Sequence, residues 1–221
     1  MATMSESKER LIKTLILEAE ETASWTGRDH FSDRTLAAMA AVPRELFMPS
    51  DLEVVAYVNR PQSIGFGQTI SQPYIVALMS DLLDAGPGER ILEIGTGSGY
   101  QAAVLAEMGA EVFSLETVAE LAETAKKNLA RAKTETVHVR HGDGFRGWPE
   151  EAPFDGVIVT AAPEHIPKTL LEQLKCGGRI VIPIGPRSGP QMLHLGIKRD
   201  DGSLDDRSLL PVAFVPMVRG Q

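Results

Sequence analysis

Residues Ile91 to Tyr100 read ILEIGTGSGY, an apolar run that ends in an acid and then opens into a turn with glycine at every second position. Ile91, Leu92 and Ile94 suit a strand buried within a parallel sheet, where both faces are covered. Gly95, Gly97 and Gly99 let the backbone approach a ligand at points where a Cβ would collide with it. From Gln101 the spacing of Ala102, Ala103, Leu105, Ala106 and Met108 is helical. Strand, glycine turn and helix form a nucleotide-binding unit, and ligands bind such units outside the carboxyl end of the strand.

The spacing also bears on which nucleotide. A dinucleotide fingerprint needs glycine at its first, third and sixth positions, and here the sixth is Tyr100, so a pyrophosphate site is disfavoured. Glu93 precedes the first glycine, and a second acid, Glu116, ends the next strand pattern (Glu111 to Leu115). Glu116 lies about 20 residues beyond the glycine turn, where an acceptor for ribose hydroxyls is expected. An acid just before the turn repels a diphosphate but tolerates a cationic or amine-bearing ligand. S-adenosylmethionine fits, having a sulfonium, an amino group, a ribose and no phosphate. The segment ILEIGTGSGY resembles the first motif of the S-adenosylmethionine-dependent methyltransferases of the Rossmann-like class, and Glu116 resembles their ribose-binding acid. The resemblance implies cofactor contacts at Glu93, Gly95, Thr96, Gly97, Ser98, Gly99, Tyr100 and Glu116.

At 221 residues the chain is long enough for one well-buried α/β domain and short for two. The expected fold is α/β: a seven-stranded, mostly parallel sheet with helices on both faces. Residues 1–56 form a helical elaboration and residues 57–221 the methyltransferase domain. A net charge of -8 argues against a nucleic-acid-binding surface, which needs a basic stripe to neutralise phosphates. The single cysteine, Cys176, excludes an internal disulfide and leaves no thiolate metal cluster. His138 and His141 face opposite sides of a strand, so no metal site is expected. The chain has no apolar signal core and no run of 18 apolar residues, which makes a cytoplasmic enzyme the expectation.

Taken in order, the N-terminal segment carries Leu11, Ile12, Leu15, Ile16 and Ala19 on one helical face, after a possible capping box of Thr3 and Glu6. Ser32 suits the cap of a second helix with Leu36, Met39, Ala40 and Val42, and Pro43 begins a short piece through Phe47. Ala56 to Ser71, AYVNRPQSIGFGQTIS, breaks every periodic pattern. The helix Gln72 to Leu83 follows, with Ile75, Val76, Leu78, Met79, Leu82 and Leu83 inward and Pro73 in its first turn. On residue type alone, Ser71 reads as that helix's N-cap. The further strand patterns are Val137 to Arg140, Phe154 to Thr160, Gly178 to Pro183, Met192 to Lys198 and, after a charged turn at Asp200 to Asp205, Leu209 to Val218. Asp143, between Gly142 and Gly144, is either an ordinary turn residue or an acceptor for an adenine amino group. Thr160 to Pro163 places small groups at the ligand edge.

IGFGQTISQPY resembles the signature of the protein L-isoaspartate (D-aspartate) O-methyltransferases. RHGDG at Arg140 to Gly144, FDGVIVTAAP at Phe154 to Pro163, LKCGGRIVIPIG at Leu174 to Gly185 and VAFVPM at Val212 to Met217 are similar to family motifs in family order. The likeness runs from Ala56 onward. It departs at Val58, where many members carry aspartate, and at Ser63, where proline is frequent.

The resemblance implies methyl transfer from S-adenosylmethionine to the free α-carboxyl of L-isoaspartyl residues in damaged proteins and peptides, by a monomer that binds neither nucleic acid nor membrane. Ser71 is then the catalytic candidate, donating with Thr69 to one carboxylate oxygen. Gln68 and Ile70 border cofactor and substrate, Asp143 and Gly144 face the adenine, Thr160 lies at the cofactor edge, and Val215 is a candidate for pairing with the peptide backbone. The nucleophile is a carboxylate, already ionised at neutral pH, so no general base is needed. The alternatives are an enzyme acting on a small carboxylic acid and a catalytically weak cofactor-binding adaptor.

Overall fold

The computed structural model describes residues 3–220. In chain order its elements are α1 (Met4–Thr26), α2 (Asp33–Ala41), β1 (Gln62–Gly65), β2 (Gln68–Ile70), α3 (Pro73–Leu83), β3 (Arg90–Ile94), α4 (Tyr100–Glu107), β4 (Glu111–Glu116), α5 (Ala119–Arg131), β5 (Val137–His141), β6 (Phe154–Val159), α6 (Lys168–Gln173), β7 (Leu174–Ile184), β8 (Gln191–Lys198) and β9 (Leu204–Val212). Strands β3 to β9 form a seven-stranded sheet in the order β5-β4-β3-β6-β7-β8-β9. The pairs from β5 to β7 are parallel, and β8 and β9 are antiparallel additions at one edge. The chain leaves β3 toward β4 on one side and returns as β6 on the other. The crevice at the carboxyl ends of β3 and β6 is therefore the topological switch point where open α/β sheets bind ligands.

Alternation along the central strands divides the core between the two faces. Ile91, Val112, Ile158 and Val181 pack on one side with α3 and α4. Leu92, Ile94, Leu115, Val157, Val159, Ile180 and Ile182 pack on the other with Leu170 of α6. The N-terminal cover joins the first of these cores: Leu11, Leu15, Met39 and Phe47 share one cluster with Tyr74, Leu78 and Tyr100. The capping box forms at Thr3 and Glu6, and Ser32 caps α2 by accepting from the Thr35 N–H. Two positions expected to be inward are not. Ile16 lies at the border of the apolar stripe and is 36% exposed, and Ala40 is exposed while Ala38 takes the inward place.

Several boundaries differ from the expectation, and β7 begins at Leu174 rather than at Gly178. The irregular stretch before α3 contains an antiparallel hairpin, β1–β2, with an irregularity between Ser63 and Gly65 and a tip at Gly65, Phe66 and Gly67 in which all three residues have positive φ. The N-cap position of α3 is Gln72 rather than Ser71, without a side-chain cap of its own. Asn59 reaches the helix from outside, its Oδ1 accepting from the Tyr74 N–H at 3.0 Å. The last strand begins at Leu204 and ends at Val212, because β8 and β9 pair from Lys198↔Leu204 onward and the connecting turn is shorter than the charge pattern suggests.

Candidate active site

A cleft opens at the switch point. Its floor is the glycine turn. Gly95 has φ 98°, and a Cβ there would run into the hydroxyl of Thr160, which donates to the Gly95 carbonyl at 2.6 Å. The Gly95 N–H in turn donates to the Leu115 carbonyl at 2.8 Å, so the ends of β3, β4 and β6 are tied together beneath the cleft. At the tip of β4 Glu116 is 5% exposed, and its two carboxylate oxygens accept from the Gly97 N–H at 2.8 Å and the Val118 N–H at 3.0 Å. Each oxygen keeps a lone pair for a further donor, the arrangement a ribose diol requires.

Among the residues placed at the cofactor from sequence, Ile70, Gly95, Thr96, Gly97, Ser98, Tyr100, Glu116, Gly144 and Thr160 line this cleft. Among the described residues its lining holds one carboxylate, Glu116, and no Lys, Arg or His. Such a wall offers a diphosphate no cationic side chain and suits a ligand carrying positive charge and hydroxyls.

Three expected cofactor contacts stand outside the lining. Glu93 points into the sheet packing and is 0% exposed. The Ser114 hydroxyl donates to its Oε2 and lies 2.6 Å from the Thr96 hydroxyl, while Oε1 is buried without a partner among the described residues. Burial pushes the Glu93 pKa up to about 8, and the neighbouring charge of Glu116 acts in the same direction. Glu93 thus touches the glycine turn through Ser114 and Thr96 and makes no direct contact with the cleft. Gly99 is the N-cap of α4 and faces Leu129 and Ala125 of α5. Asp143 accepts from the Phe145 N–H at 2.9 Å, capping the short turn Gly144–Arg146, and it is the neighbouring Gly144 that faces the cleft.

A second cleft adjoins the first. Pro61, Ile75, Pro211 and Phe214 give it apolar walls, and Thr69, Ser71, Thr160 and Val215 line both clefts and form their junction. Thr69 and Ser71 project to one side of the extended segment that follows the hairpin tip. Gln68 and Ile70 border only the first cleft. The segment after β9 is fixed on the sheet's carboxyl edge: the Val215 carbonyl accepts from the Ala162 N–H and the Met217 N–H donates to the Ala162 carbonyl, both at 2.8 Å. The side-chain amide of buried Gln191 takes both backbone groups of Phe214, at 3.0 and 2.6 Å. The Phe214 backbone groups and the Val215 carbonyl are therefore already occupied, and within residues 213–215 a peptide is left the backbone of Ala213 and the Val215 N–H.

Sequence reading passed over Arg44, Asn59, Glu18 and Gln191. Arg44 is wholly buried, its Nη2 donating to the Ser71 carbonyl at 2.7 Å and its Nε to the Ala56 carbonyl at 2.9 Å. Glu18 on α1 accepts from the Asn59 and Gln72 amides, and burial raises its pKa. Arg44 and Glu45 form a charged pair in a mostly apolar stretch, and nothing local marks which of the two is buried. The other contacts span distances along the chain at which no periodicity operates.

The fold and this cleft define a Rossmann-like, class I S-adenosylmethionine-dependent methyltransferase. The sequence profile of the protein-L-isoaspartate(D-aspartate) O-methyltransferase family matches residues 23–221. Protein-L-isoaspartate O-methyltransferase 2 of Syntrophobacter fumaroxidans is 49% identical over 214 residues, covering 97% of this chain and 87% of that one. A solved protein-L-isoaspartate O-methyltransferase superposes with TM-score 0.80 at 31% identity; the match covers 95% of this chain and spans 65% of that chain's length. A Plasmodium falciparum chain assigned to the same family and solved in complex with S-adenosyl-L-homocysteine has the same fold, with TM-score 0.79 at 24% identity and 99% of each chain covered. The chain belongs to the protein-L-isoaspartate(D-aspartate) O-methyltransferase family.

Proposed function

We propose that this chain repairs damaged proteins and peptides by methylating the free α-carboxyl of their L-isoaspartyl residues, with S-adenosylmethionine as donor. The observation that carries the reading is the junction of the two clefts at Thr69, Ser71, Thr160 and Val215. One cleft suits a cationic nucleoside; the other is an open, largely apolar groove bordered by an extended backbone segment, a surface for a peptide rather than for a small acid.

S-adenosylmethionine, when bound, supplies an electrophilic methyl group. Glu116 accepts from the ribose hydroxyls, and Gly95 and Gly97 bring the turn against the ligand. Thr160 holds that turn closed on its underside. Ser71, with Thr69, donates to one oxygen of the substrate carboxylate and leaves the other aimed through the junction. No proton moves in the transfer, since an ionised carboxylate becomes a neutral ester, and no side chain at the junction is a general base. The contribution of the chain is orientation and exclusion of water from the anion, and orientation alone can supply about 7–11 kcal/mol at best. The backbone groups of Ala213 and the Val215 N–H pair with the peptide main chain, which admits many flanking sequences. The protein acts as a cytoplasmic monomer, and the net charge of -8 disfavours nucleic acid as a partner.

Labelled S-adenosylmethionine offered with two synthetic peptides, one L-isoaspartyl and one normal aspartyl, tests this reading. Methyl incorporation is expected in the isoaspartyl peptide alone. Incorporation into neither, with S-adenosylhomocysteine binding intact, overturns it.

A further inference from the structure

Arg44 is where the N-terminal cover meets both halves of the site. It opens the short 3-10 turn Arg44–Phe47 and is 0% exposed. Its Nε and Nη2 donate to the carbonyls of Ala56 and Ser71, which bracket the segment carrying the β1–β2 hairpin. Its guanidinium lies over the Tyr100 ring, 4.7 Å from the centroid, and Tyr100 begins α4 directly after the glycine turn. The remaining nitrogen, Nη1, is buried without a hydrogen-bond partner among the described residues. A buried cation with an unmatched donor lowers stability, and an apolar side chain of similar volume would fill the place at less cost. Departures of this kind from good packing practice concentrate at functional sites.

We propose that Arg44 is a positioning residue for methyl transfer: its planar fork fixes the Ser71 peptide, and with it the direction of the Ser71 hydroxyl, relative to the cofactor turn at Tyr100. This rests on the reading of Ser71 as donor to the substrate carboxylate. Ser71 needs such support because it lies between the end of β2 and the start of α3, does not cap α3, and lines both clefts. A guanidinium is suited to the task. It is rigid, holds two carbonyls at fixed separation and loses little freedom per bond, whereas a lysine would present a single mobile point charge. The N-terminal cover thereby acquires a role in turnover as well as in packing, since its turn carries the group that aims Ser71.

The test is a double-mutant cycle on the full chain with Arg44→Lys, Ser71→Ala and the double variant. It reads kcat and KM for an isoaspartyl peptide and, by calorimetry, the Kd of S-adenosylhomocysteine. Each single substitution is expected to lower kcat by about tenfold or more, as small misplacements do in oriented reactions. The double variant is expected to fall no more than about twofold below Ser71→Ala, because Arg44 acts through that residue. Cofactor affinity stays within about threefold in all three. Arg44→Met keeps the volume without the buried charge and serves the same cycle if the lysine variant does not fold. Losses that multiply in the double variant, or an affinity loss as large as the loss of turnover, overturn the positioning role. An unchanged kcat in Ser71→Ala would instead overturn the reading of Ser71 itself.

Discussion

At the scale of single residues, Glu93 and Glu116 show how burial separates two acids that look alike in sequence. Glu116 keeps its oxygens on backbone N–H donors at the cleft and is available to a ligand. Glu93, one strand away, is sealed in with a single hydroxyl donor, and burial carries its pKa from 4.5 to about 8. Between those two values the folded protein keeps a proton that the unfolded chain releases, so this group makes stability fall as pH rises, with no further change above about 8. Glu93→Gln stays neutral throughout. Relative to the parent protein the variant should gain stability on the order of 3 kcal/mol between pH 5 and pH 8, read from urea unfolding at both pH values. Parallel stability profiles for the two proteins would show that Glu93 is ionised in the fold.

At the scale of elements, α3 and the segment before it show which polar groups hold structure and which face the site. The amide of Asn59 does two things at once, accepting from the Tyr74 N–H and donating to Glu18 of α1 at 2.5 Å. Asn59→Ala should therefore cost about 1–2 kcal/mol, the usual effect of losing a helix cap, with a lowered urea midpoint. Ser71→Ala should shift stability by less than about 0.5 kcal/mol, since Ser71 does not cap the helix. The reverse order would return Ser71 to a capping role. The glycine turn and the strands on either side of it were legible because their signals are local: an apolar run, a turn composition and a helical spacing. The β1–β2 hairpin was not. Its two strands are short, its register slips between Ser63 and Gly65, and Ile64 comes to lie near Gly97 of the cofactor turn, a contact no local pattern encodes.

At the scale of the whole molecule, the cover and the sheet share one apolar cluster, with Leu15, Met39 and Phe47 packed among Tyr74, Leu78 and Tyr100. Edge-to-face contact between Phe47 and Tyr100, 5.7 Å between centroids, places that shared core directly behind the cofactor turn. Residues 1–56 and 57–221 are accordingly proposed to unfold together. S-adenosylhomocysteine at a hundred times its Kd should then raise the free energy of unfolding by about 2.7 kcal/mol and move tryptophan fluorescence and far-ultraviolet circular dichroism by the same increment. Trp25 on α1 and Trp148 after β5 report from the two regions. Two separated transitions, only one of them ligand-dependent, would show that the cover folds independently.

The class of cofactor and the layout of the central sheet were set by the sequence itself, because glycine spacing, strand periodicity and an acid at the end of the next strand act through backbone conformation over a few dozen residues. The tertiary structure alone decided which polar groups meet the ligand and which support it. Glu93 is withdrawn by the packing of β3 against β4, Asn59 caps a helix 15 residues away, and Arg44 reaches the Ser71 carbonyl across 27. Burial and contact at those separations depend on how the layers close on one another, and that is a property of the packed molecule rather than of any local run of residues.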